Sequence, residues 1–100
     1  MAIIDERYQL VTGTVAPSGD VLVGEGFKAR QIKYGTYLVE FERPFAQDIS
    51  PVCTIVGNEW QTFNLSIAIL DVSNKYFICS TSNPNQPVDC AFNFSVFGEV

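Results

Sequence analysis

The heptapeptide Thr36-Tyr37-Leu38-Val39-Glu40-Phe41-Glu42 decides the fold class. Tyr37, Val39 and Phe41 alternate with Leu38, Glu40 and Glu42, so one side of the segment turns inward and the other mostly outward. That period of two belongs to a strand. A helix needs apolar positions at i, i+3, i+4 and i+7 over about a dozen residues, and no stretch keeps that spacing without Gly, Pro or β-branched interruption.

The same grammar extends outward in both directions. Strands are predicted over Arg7–Val15, Val21–Val23, Gly26–Ile32, Thr36–Glu42, Pro51–Gly57, Asn64–Val72, Lys75–Ser80 and Ala91–Phe97. Turn chemistry separates them: Pro17-Ser18-Gly19-Asp20, Tyr34-Gly35, the stretch from Arg43-Pro44 to Ser50, Asn58 to Thr62, Ser73-Asn74, and Ser82 to Val88. Short strands at about 8–12-residue spacing indicate an antiparallel sandwich or barrel. Two strands break the simple alternation. Asn64-Leu65-Ser66-Ile67-Ala68-Ile69-Leu70-Asp71-Val72 is apolar on both faces through its middle. The last strand puts Phe92, Phe94 and Val96 on one side but Phe97 on the other, with Asn93 and Ser95. A small sandwich covers only one face of each sheet by itself, so the surplus implies a partner, and subunit contact is the economical one.

The totals set bounds. A chain of 100 residues and 11.1 kDa makes one domain, residues 1–100, with no repeats, linkers or low-complexity segments. Its 47% hydrophobic and 17% charged residues are a globular composition. A net charge of -5 and a pI near 4.4 disfavour nucleic acid and anionic membrane surfaces. The absence of His removes Ser-His-Asp and Cys-His nucleophile systems and the usual zinc ligand sets, so neither a metal nor another cofactor is expected. No run approaches the ~18 apolar residues of a membrane-spanning helix, so no membrane insertion is expected. The opening Met1-Ala2-Ile3-Ile4-Asp5-Glu6 lacks the basic, apolar, small-residue order of a cleaved signal peptide. Cys53, Cys79 and Cys90 are an odd set with no C-x-x-C. They read as small buried apolar side chains carrying free thiols, with a Cys79–Cys90 bridge across one loop as the alternative.

Few residues suggest chemistry. Glu40 and Glu42 share a strand face roughly 7 Å apart, a spacing a glycosidase pair uses, but a solvated face with cross-strand ion pairs explains them better. Asp71 and Asp89 are isolated at strand ends. Asn64-Leu65-Ser66 and Asn93-Phe94-Ser95 match the glycosylation acceptor pattern but fall in predicted strands and read as chance matches. No nucleophile, base or metal set is visible, so no enzyme is expected. Asn58-Glu59-Trp60-Gln61-Thr62-Phe63-Asn64 is the most suggestive stretch, since it sets the only Trp among amides and a carboxylate. Sugar sites combine an aromatic plane with such groups, which makes Asn58, Glu59, Trp60, Gln61 and Asn64 the candidate ligand residues. Trp60 packing at a subunit contact or over the open end of the sandwich is the alternative. The polar loop Ser82-Asn83-Pro84-Asn85-Gln86-Pro87 is a second candidate or a solvated turn.

The order of motifs adds a resemblance. Gly24-Glu25-Gly26-Phe27 precedes Gly35-Thr36-Tyr37-Leu38-Val39-Glu40-Phe41, then Pro44-Phe45-Ala46 and Pro51-Val52-Cys53-Thr54. The chain closes on Asp89-Cys90-Ala91-Phe92-Asn93-Phe94-Ser95-Val96-Phe97-Gly98. Over about residues 24–98 this order resembles small β-domains at the tips of phage tail fibres and related bacterial fibre proteins, and more loosely the H-type lectin domain. The resemblance implies an all-β fold, a small antiparallel β-sandwich of about six to eight strands, H-type lectin-like or jelly-roll-like. It implies a homotrimer that binds carbohydrate near protomer boundaries, on a virion or an extracellular fibre tip. H-type lectins usually present a Trp in the last strand, where this chain has Phe94 or Phe97, and use a His that it lacks, so those sugar contacts are not transferred. The expectation is a non-enzymatic trimeric domain that recognises a surface glycan or cell-surface receptor. The alternative is a structural trimerisation module without a small ligand.

Overall fold

Tyr37, Val39 and Phe41 are buried and Glu40 is exposed, as the alternation requires. The computed structural model describes residues 2–4 and 7–100, and of residues 2–4, Glu59 and Gln61 only the backbone. Among the described residues the elements are β1 (Ala2–Ile4), β2 (Tyr8–Val15), β3 (Val21–Gly24), β4 (Phe27–Lys33), β5 (Thr36–Phe41), β6 (Val52–Val56), the single helical turn α1 (Glu59–Thr62), β7 (Ser66–Val72), β8 (Tyr76–Ser82) and β9 (Ala91–Glu99). All eight expected strands are present. The additional β1 is too short to show an alternation.

The strands form two antiparallel sheets. One runs β1-β2-β9-β6, with β3 also pairing β2; the other runs β4-β5-β8-β7. In the first sheet β1 pairs with residues 9–11 of β2 and β3 with residues 13–15, so the two short strands share one flank of β2 while β9 lies along the other. The chain crosses between the sheets four times, at 25–26, 42–51, 57–65 and 83–90. The chain is therefore an all-β small antiparallel sandwich.

The core is aromatic. Phe92 and Phe94 enter it from β9, facing Phe27, Tyr37, Phe41 and Phe77 of the other sheet. Phe94 meets Phe27 edge to face at 4.8 Å, Phe77 at 5.4 Å and Phe41 at 6.3 Å, within the range aromatic pairs favour. Gly13 makes room for this: a Cβ there would overlap the Phe27 ring. At the end of the sandwich where the 42–51 segment runs, Phe45 packs edge to face on Phe41. Buried Gln9 donates through Nε2 to the Arg43 carbonyl at 3.0 Å, which satisfies its amide.

The two irregular strands resolve differently. In β7 the register shifts between Ile69 and Asp71. Ile67, Ile69 and Val72 stand opposite buried Thr81, Cys79 and Phe77, while Asp71 stands opposite half-buried Ile78 on the outer face. The bulge at Leu70 resets the parity, so Ile67 and Val72 pack partly buried against the core on either side of it, while Ala68, Ile69 and Leu70 stay exposed. Leu70 itself is 58% exposed. Phe97 behaves as the alternation requires and lies on the outer face of its sheet, stacked on Tyr8 at 5.6 Å. Arg7 lies over the same Tyr8 ring.

Candidate functional site

Four connections gather at one end of the sandwich: residues 16–20, the Tyr34-Gly35 turn, 57–65 and 83–90. Tyr37 and Asp89 tie three of them together, 16–20, Tyr34-Gly35 and 83–90. Gly35 has a φ of 69°, a left-handed turn that favours glycine, and its carbonyl accepts from Thr81 N at 2.8 Å. Tyr37 Oη donates to the Pro17 carbonyl at 2.7 Å and accepts from Cys90 N at 3.3 Å. Asp89 Oδ1 accepts from Gln31 Nε2 and from Gly35 N, both at 2.6 Å. Thr81 Oγ1 donates to the Val88 carbonyl at 2.6 Å, and Val88 N returns a bond to the Thr81 carbonyl at 3.1 Å. Burial, reinforced by the nearby Asp89 charge, pushes the Tyr37 phenol up to about 12, so it stays a neutral donor.

The 57–65 connection is shaped by α1. Thr62 donates to the Asn58 carbonyl twice, from its backbone N at 3.1 Å and from Oγ1 at 2.8 Å, and Leu65 N donates to the Thr62 carbonyl at 3.0 Å. The turn leaves Trp60 83% and Phe63 78% exposed. Thr62 and Leu65 face the other way, into a groove of about 540 Å³ that Pro17, Gly57, Asp89 and Cys90 also line. A smaller hollow of about 200 Å³ lies at the opposite end, between the 45–50 segment and the end of β9, with Asp48 and Glu99 on its wall.

Of the sequence-predicted residues, Asn58, Trp60 and Asn64 fall at the loop-rich end but outside the groove lining. All three are exposed. The side chains of Glu59 and Gln61 lie outside the described residues. Asn64 precedes β7 instead of lying in it. The second polar loop is exposed over residues 84–87 and bonds to itself: Asn83 Oδ1 accepts from Asn85 N and Gln86 N, and Ser82 bridges Pro87, so Asn83 is spent on holding the turn. The groove-lining Pro17, Thr62, Leu65, Asp89 and Cys90 are spread over three connections. Nothing in the sequence brings them together except the turn residues that end each strand.

The arrangement offers hydrogen bonds and apolar surface. All three cysteines are free. Burial pushes the Cys53 thiol up to about 12 and raises Cys79 and Cys90 as well, which keeps each as a thiol and unreactive. Among the described residues no group of three or more His, Cys, Asp or Glu is placed to hold a metal ion. Glu40 and Glu42 are both exposed, and Glu40 stands opposite Lys28 in the ladder. No helix of the described residues is long and apolar enough to cross a membrane. No protein-family model, curated protein or solved structure matches the chain.

Proposed function

We propose that this chain is a non-enzymatic carbohydrate-recognition or receptor-attachment domain that works as a homotrimer, with the turn carrying Trp60 as its ligand surface. The observation that carries the reading is the exposure of Trp60 on a hydrogen-bonded turn beside a groove that holds a hydroxyl and a carboxylate. A large apolar side chain left in water contributes nothing to folding, whereas an exposed indole plane stacks on the apolar face of a sugar ring. Asn58 and Asn64, exposed on the same connection, carry donors and acceptors for hydroxyls, and Thr62 adds one from the groove side. Individual sites of this openness bind weakly, and three on one assembly compensate by acting together.

One observation favours the assembly module without a small ligand. Phe97 is 65% and Val52 64% exposed on the outer face of the β1-β2-β9-β6 sheet, away from the groove, and an interface between copies covers such residues without any glycan. A glycan array separates the two. Wild-type protein binds a subset of glycans, and Trp60→Ala loses that binding while light scattering and the thermal transition stay as in the wild type. If the wild type binds no glycan and Trp60→Ala dissociates the assembly, Trp60 is a packing residue and the assembly module takes the place of recognition.

A further inference from the structure

Asp89 is held by one oxygen only. Oδ1 accepts two hydrogen bonds, from Gln31 Nε2 and Gly35 N, while Oδ2 accepts none among the described residues. No buried side-chain oxygen or nitrogen lacks a partner among the described residues, so Oδ2 is open to solvent, and the residue lines the groove. The carboxylate is thus fixed in orientation before any ligand arrives, and it presents a free charged acceptor. Among the described residues Asp89 is also the only charged one lining the groove, with no Lys or Arg to balance it, in a chain of net charge -5.

From this geometry, and resting on the recognition reading above, we infer that the groove takes uncharged or amine-bearing sugars, which donate a hydroxyl or ammonium hydrogen to Asp89 Oδ2, and that it rejects sugars carrying carboxylate, sulfate or phosphate. A donor meeting a pre-oriented carboxylate makes a charge-assisted hydrogen bond at little ordering cost. An anionic ligand meets the same carboxylate with no cation to offset it, and the repulsion works as a built-in discrimination. Thr62 and the Trp60 plane are neutral and contribute to both ligand classes alike, so among the described residues of the groove the sign of the selectivity comes from Asp89.

The substitution Asp89→Asn tests this without removing the anchor. The Asn Oδ1 still accepts from Gln31 and Gly35, while its amide nitrogen turns the open acceptor into a donor. The probe is an array carrying neutral, amine-bearing, and sialylated, uronate or sulfated glycans. The wild type is expected to bind only neutral or amine-bearing members. Asp89→Asn is expected to bind them at least about tenfold more weakly, the effect of losing one hydrogen bond to a charged acceptor, with a cooperative thermal transition retained and assembly mass unchanged. Acidic glycans among the wild-type binders overturn the inference even if the variant fails to fold. So does undiminished binding by Asp89→Asn, and in both cases recognition itself still stands. A wild type that binds no glycan at all overturns the recognition reading and this inference with it.

Discussion

A phenol in a protein core must be hydrogen-bonded or it is costly, and Tyr37 is bonded twice, to the Pro17 carbonyl and the Cys90 amide. Tyr37→Phe leaves both of those backbone groups without their partner at once, so it is expected to cost roughly 1–3 kcal/mol, read as a lower thermal transition. The same burial dictates the response to alkali. Tyr37 is raised from its ordinary value of 10.0 to about 12, and Cys53 from 9.0 to about 12. Between those values the unfolded chain has released protons that the folded chain still holds. The stabilisation is therefore fully present below pH 9.0 and is lost as pH rises toward 12. Thermal unfolding followed from neutral pH upward should show a transition that falls steadily through this window; a flat transition means that the thiol and phenol are not buried. The thiols give a second reading of the same burial. In native protein at neutral pH, alkylation followed by mass spectrometry should add at most one label per chain, and rapid labelling of Cys53, Cys79 and Cys90 together contradicts it.

The elements answer to close packing between the sheets. Gly13 sits in mid-strand because the Phe27 ring occupies the space a side chain would take. Gly13→Val should destabilise by about 1–3 kcal/mol through overpacking, and Phe27→Leu in the same chain should recover part of the loss because it empties the same space. Phe94→Ala removes the ring that Phe27, Phe41 and Phe77 all touch, at an expected cost of about 3–5 kcal/mol, a large share of what a domain of this size has. Chemical denaturation measures each of these. What was legible in the sequence follows the same physics. The period of two is printed directly in residues such as Tyr37-Leu38-Val39-Glu40-Phe41, so the strands could be read. A bulge leaves no period, so the apolar run at Ser66–Val72 reads as a strand with two apolar faces until Leu70 is seen to reset it. One helical turn is too short to show a repeat, so Glu59–Thr62 reads as loop. The neighbourhood of Trp60 was legible because a Trp among amides is conspicuous. The groove beside it was not, because Pro17, Thr62 and Asp89 are brought together only by the crossing of the chain between sheets.

At the scale of the whole molecule, the sandwich measures 43 × 22 × 18 Å and leaves apolar side chains open on an outer sheet face and on the helical turn. On the proposed reading these two patches have different occupants: other copies of the chain cover Phe97 and Val52, and a glycan covers Trp60. Light scattering at micromolar concentration should then give about three times the 11.1 kDa chain mass, whereas a stable monomer removes the trimer. The division of labour is tested most directly by the emission of Trp60, the only tryptophan in the chain. In the assembled protein without ligand, the account predicts the red emission of a water-exposed indole, unchanged by dilution. Titration with a glycan that the array identifies should shift it to the blue in a saturable way. Emission that is already blue without ligand and reddens as the assembly is diluted apart would place Trp60 inside a subunit contact and contradict the account.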